Sequence, residues 1–197
     1  LTRDEIAARF RRGGLALAFD TNALYVDRSL IGLCAEIERC NERLRQRDLP
    51  PARLIVCAVA HVEKLFDLKQ KYRDAFDFGA ILDGLRSKGL EIQAFDASHA
   101  RETAIRLGER YPSTEAWHQA KKQRCIRCVG LDPGRVGAPD SGQRCGATVD
   151  WLIGAHARAE GCVLVTDDSG PEFTGLADRV QFATLAAAVH EILAGPV

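Results

Sequence analysis

The sequence predicts an α/β fold: a parallel sheet of about five strands, flanked by helices on both faces. Three observations carry that expectation. Five short apolar runs, "LALAF" (15–19), "LIVCAV" (54–59), "EIQAF" (91–95), "CVLVT" (162–166) and "RVQFA" (179–183), mostly lack the alternation of a half-solvated strand. Longer segments with a helical period separate them. Two of the runs lead into acids, Asp20 and the pair Asp167 and Asp168, at the strand ends where open parallel sheets bind ligands.

The elements follow in order. The opening "LTRDEIAARFRR" reads as a charged amphipathic helix and not as a secretory leader. After the first strand, "RSLIGLCAEIERCNERLRQRD" places Leu30, Leu33, Cys34, Ile37 and Leu44 near a 3.6-residue period, so an amphipathic helix is expected. Helical patterns also cover 59–72, 74–88, 97–110, 113–123, 147–160 and 184–194. "CIRCVGLDPGRVGAPDSGQRCG" breaks the rhythm. It is rich in Gly and Pro and too long for an ordinary connection. The chain therefore reads as a single domain over 1–197 with an inserted loop at about 124–146.

Composition narrows the class. The chain has 197 residues, 46% of them apolar, which suits one globular core. Lys plus Arg equals Asp plus Glu at 27 each, so the chain is not a polycation and any nucleic-acid contact must be local. Two basic patches stand out. Arg9, Arg11 and Arg12 read as a solvated helix face; Lys121, Lys122, Arg124 and Arg127 are candidate RNA contacts. No apolar run reaches the length of a membrane span. Of seven cysteines, Cys34, Cys57 and Cys162 sit among apolar residues as small core side chains. An odd count favours reduced thiols and a cytoplasmic location.

Four acids draw attention together. Asp20 and Asp168 end strands. If those strands are neighbours, their ends lie about 4.8 Å apart. In "ATVDWLIGAHA", Asp150 shares a helix face with Ile153, Gly154 and Ala157; in "CAVAHVEKLF", Glu63 shares one with Val59 and Phe66. Taken singly, each has an ordinary reading as a cap, a dipole partner or a boundary residue. Four converging carboxylates would repel one another, and a hard divalent cation would relieve that.

These segments resemble the PIN-domain ribonuclease family, including its VapC-type toxins. "FDTNAL", the acid in "VAHVEKL", "ATVDWLIGAHA" and "VLVTDDSGPEF" occur in the family's order over roughly 15–183. The resemblance implies a five-stranded parallel sheet and Mg²⁺- or Mn²⁺-dependent cleavage of RNA phosphodiester bonds. It implies Asp20, Glu63, Asp150 and Asp168 as catalytic and metal-binding acids, with Asp167 as rival for the fourth. Asn22 and Thr166 would support them. An antitoxin protein and a homodimer are the partners such toxins take. The length, the extra N-terminal helix and the insertion depart from the VapC pattern.

Within the insertion, Cys125 and Cys128 form a CxxC pair, with Cys145 later and His118 before it. These four are candidate Zn²⁺ ligands, or reduced thiols of a loop. His61, His99, His156 and His190 read as surface or core-edge residues. Two other functions stay open. An aspartate-nucleophile phosphatase needs Asp-x-Asp after the first strand, and Asn22 replaces the second acid. A non-catalytic RNA- or protein-binding module has no need of the full acid set.

Overall fold

The computed structural model describes residues 1–25, 27–128, 148–170, 172, 173, 175, 176 and 178–195; the side chains of 27, 121, 122 and 124–128 lie outside that description. Five strands form one sheet: β1 (Ala16–Phe19), β2 (Arg53–Cys57), β3 (Leu90–Gln93), β4 (Val163–Val165) and β5 (Arg179–Val180). Their order is β3-β2-β1-β4-β5 and every pairing is parallel. The expected α/β class and five parallel strands are therefore what the chain adopts. β1 lies at the centre, with Phe19 in register with Val56 and Val165.

Parallel strands need crossovers, and helices supply them: α1 (Arg3–Arg12), α2 (Thr21–Leu24), α3 (Asp27–Arg45), α4 (Ala58–Tyr72), α5 (Phe78–Arg86), α6 (Ala97–Arg110), α7 (Thr114–Cys128), α8 (Val149–Ala159) and α9 (Phe182–Ala194). Consecutive residues Leu17, Ala18 and Phe19 are all buried. Successive strand side chains point to opposite faces, so both faces of the sheet are covered. α1 and α3 pack on α9; α6 packs on α8, which also meets α4 and β4. Truncating Leu17 or Ile55, both fully buried, to Ala would cost about 2–5 kcal/mol. Among the described residues, no helix is long and apolar enough to cross a membrane.

Local chemistry explains the boundaries. Thr2 and Glu5 form a reciprocal capping box at the start of α1. Asp96 caps α6 through the backbone N–H groups of Ser98 and His99. The helix expected over 74–88 is shorter. A 3₁₀ turn occupies Arg73–Ala75, and Asp77 accepts from Ala80 N to start α5 at Phe78. Conversely, α7 runs on to Cys128, so residues 124–128 are helical where the inserted loop was expected to begin. No Gly or Pro interrupts that stretch before Gly130. Residues 129–147, the rest of the insertion, lie outside the described residues.

Cys34, Cys57 and Cys162 are core side chains as expected, and Cys40 joins them. Arg9 pairs with Asp178 at 2.7 Å and Arg11 with Glu191 at 3.3 Å, so the first basic patch ties α1 to its neighbours. The histidines expected at the surface or the core edge divide: His190 is exposed, and the other three lie inside. His61, His99 and His156 are all buried. His99 bridges α6 to α8: its Nε2 lies 3.1 Å from Glu160 Oε1, and its ring stacks on His156 at 4.5 Å. The period of α6 and α8 shows which side faces inward, but not that an imidazole will be the filler.

Neither ring nitrogen of His156 has a hydrogen-bond partner among the described residues. Burial, and then the neighbouring His99, hold it below its usual value of 6.5; Glu160 and Asp96 act in the opposite direction. A depressed histidine leaves stability intact above the unfolded value and removes it as pH falls below 6.5. His156→Leu should therefore lose less stability than the wild type between pH 7.5 and pH 5.5. Urea melts at the two values check this.

Candidate active site

The site forms where the two central strands end. The Asp20 N–H donates to Val165 O at 3.1 Å, which extends the β1–β4 ladder by one step. Asp20 then turns the chain into α2 and caps it, with Oδ1 accepting from Thr21 N at 2.6 Å. The capping reading is thus real, yet only one oxygen serves it. The other accepts from the Thr166 hydroxyl at 2.6 Å. Asp20 is 2% exposed.

Thr166, just past β4, is a hub. Its hydroxyl donates to Asp20 and accepts from Asn22 Nδ2 at 3.3 Å and from Asp168 N at 3.1 Å. One donor and two lone pairs are all that a hydroxyl has, so Thr166 is fully used. Asn22 therefore supports Asp20 through Thr166 and does not touch it directly. The Asn22 Oδ1 is buried and has no partner among the described residues.

Glu63, on α4, is half-buried and accepts from the Thr21 hydroxyl at 2.6 Å. Its helix neighbour Phe66 is 54% exposed, so that end of the face looks to solvent and not to the sheet as expected. Burial raises the Asp20 carboxyl from 3.8 to about 6. The hydrogen bonds from Thr166 and Thr21 pull it back; the charges of Asp168 and Glu63 push it up. Asp168 is exposed, and its charge acts on Asp20. Asp167 accepts from Phe182 N at 3.1 Å, at the start of α9.

Asp150 is buried in the first turn of α8, the helix that packs against α4 and β4. Among the described residues, no three His, Cys, Asp or Glu side chains form a group arranged to hold a metal ion. Glu63 instead has its own contact, the Thr21 hydroxyl. The donor chemistry nevertheless fits a hard divalent cation. The atoms present are carboxylate oxygens and an unpartnered amide oxygen, and the central carboxyl is destabilised as an anion.

The side chains of Lys121, Lys122, Arg124 and Arg127, and those of Cys125, Cys128 and Cys145, fall outside the described residues. His118 is exposed, its ring 5.3 Å from that of Trp117.

Two features escaped the sequence. Tyr25 donates to the Asp67 carboxylate beside Glu63, with the Lys64 ammonium 4.3 Å from its ring centre. Arg106, on α6, is 4% exposed, and its guanidinium lies 5.0 Å from the Trp151 ring. Burial lowers its pKa, and the charge of Arg158 adds to this. An arginine in the middle of an amphipathic helix gives no hint of burial. The only signal is the glycine opposite it at 154.

Comparison with protein-family models found no match, and neither did comparison with curated proteins. Among solved structures, the chain is similar to one in the DNA-bound VapBC complex from Salmonella typhimurium. The identity is 19% and the TM-score 0.44, over 85% of this chain and 98% of that one.

The raised Asp20 carboxyl has a measurable consequence. Its folded value lies above the unfolded one, so it destabilises the fold progressively from pH 3.8 to about 6 and fully above that. Two pH units correspond to about 3 kcal/mol. In metal-free buffer, Asp20→Asn should melt higher than the wild type at pH 7.5, with the gap closing by pH 4. Scanning calorimetry at both values is the check.

Proposed function

We propose that this protein is a Mg²⁺- or Mn²⁺-dependent endoribonuclease of the PIN type. The observation that carries the reading is Asp20: a carboxylate buried at the end of the central strand, crowded by Asp168 and Glu63. A fold does not retain such a group for stability. Asp20, Asp168 and Glu63 would hold the ion, with Asp150 from α8 completing the acid set. When bound, such an ion stabilises charge on phosphate oxygens and lowers the pKa of water.

The chain's own residues do the rest. Thr166 and Thr21 N aim the two Asp20 oxygens and keep the carboxyl ionised against the cost of burial. Glu63, held by Thr21, is placed to orient a nucleophilic water. Tyr25, with the Lys64 ammonium over its ring, offers an aromatic group and a cation suited to a base and a phosphate of single-stranded RNA. Lys121, Lys122, Arg124 and Arg127 add local positive charge.

The toxin role of the resembled family, with an antitoxin partner, belongs to the same proposal. So do a homodimer, a cytoplasmic location and a Zn²⁺ site in the insertion. The phosphatase reading has less support, because both Asp20 oxygens are engaged and Asn22 replaces the second acid.

Purified protein should cleave a panel of structured and unstructured RNAs in Mn²⁺. Asp20→Asn and Asp150→Asn should each reduce the rate by roughly a hundredfold or more while remaining folded. Full activity in both variants would refute the reading. Growth arrest on expression, relieved by a neighbouring gene product, would separate a toxin from a housekeeping nuclease.

A further inference from the structure

Arg106 occupies an unusual place for a cation. It projects from α6 into a notch between α8 and the turn that follows β4. One face of its guanidinium lies against the Trp151 ring of α8, at 5.0 Å. Its Nη2 donates to the Glu172 carbonyl oxygen in the turn. Its Nη1 is buried with no hydrogen-bond partner among the described residues. The notch exists because residue 154 is glycine: a methyl group there would stand 2.5 Å from Nη1 and 3.3 Å from Leu176 Cδ1.

Burying a guanidinium with one nitrogen unsatisfied is costly. A methionine of similar length would fill the same space without that cost. What the arginine adds is a directional link. Trp151 follows Asp150 in α8, and Glu172 lies four residues beyond Asp168 on the turn. Phe173 anchors that turn in the core, and its N–H donates to Gly170 O at 3.1 Å. The two acids come from separate segments; Arg106 touches α8 at Trp151 and, at Glu172, the chain that leads on from Asp168.

Resting on the nuclease reading above, we propose that Arg106 is a positioning residue. Seated in the Gly154 notch, it ties α8 to the turn at Glu172 and Phe173 and so sets the spacing between Asp150 and Asp168 for divalent-metal binding.

The test compares wild-type protein with Arg106→Met, Arg106→Lys, Gly154→Ala and a control, Ile153→Val, which loosens α8 without touching the clamp. Mn²⁺ affinity by titration calorimetry and kcat and KM for RNA cleavage are measured on each, with Tm for matching. Arg106→Met and Gly154→Ala should weaken Mn²⁺ binding by roughly tenfold or more. They should lower kcat with little change in KM. Arg106→Lys should restore only part, since an ammonium lacks the planar fork. Ile153→Val should keep wild-type Mn²⁺ affinity. If Arg106→Met does not fold, Gly154→Ala carries the comparison. Mn²⁺ binding in the clamp variants equal to that of the control overturns the clamp alone. A wild type that binds no Mn²⁺ overturns the reading of the site and the clamp with it.

Discussion

The hydrogen bond from the Thr166 hydroxyl to the buried Asp20 carboxylate is the interaction on which the site depends. It crosses from the end of β4 to the end of β1, and so turns sheet register into site geometry. Through the same oxygen, Thr166 gathers Asn22 and the backbone of Asp168. A single hydroxyl therefore fixes three of the residues at the carboxyl edge. A carboxylate deprived of water needs such partners, and here they only offset part of the cost of burial.

The surrounding architecture can carry that cost. The central strand is covered on both faces, and the strands beside it hold their ends in register. The cost of burying Asp20 is borne by a core in which Leu17, Phe19, Ile55 and Leu164 are fully buried. Stability and chemistry are thus divided between the middle of the sheet and its carboxyl end. Asp20 is where they conflict.

Much of this was legible in the sequence. Unalternating apolar runs and helical periods marked all five strands and the crossovers between them, because burial on both faces leaves a pattern that needs no partner to read. Asp20 and Asp168 stood out as acids at strand ends. The α5 start was hidden, since a 3₁₀ turn and an Asp77 cap look like helix to a periodicity argument. Buried His99, His156 and Arg106 were hidden for a related reason. Their burial depends on what faces them across α6 and α8, and one chain segment does not state its neighbour. Asp167 and Asp168 are adjacent in sequence. Only the fold shows that the first bonds the start of α9 and that the charge of the second acts on Asp20.

The central claim is that Asp20 is an anion crowded into a dry site that a divalent cation would relieve. The direct measurement is a pH titration of the Asp20 side-chain carboxyl carbon by NMR, without and with Mg²⁺. The expected result is a midpoint near 6 in metal-free protein that moves to lower pH when Mg²⁺ is added. A midpoint at the ordinary value of 3.8, unmoved by Mg²⁺, would contradict it.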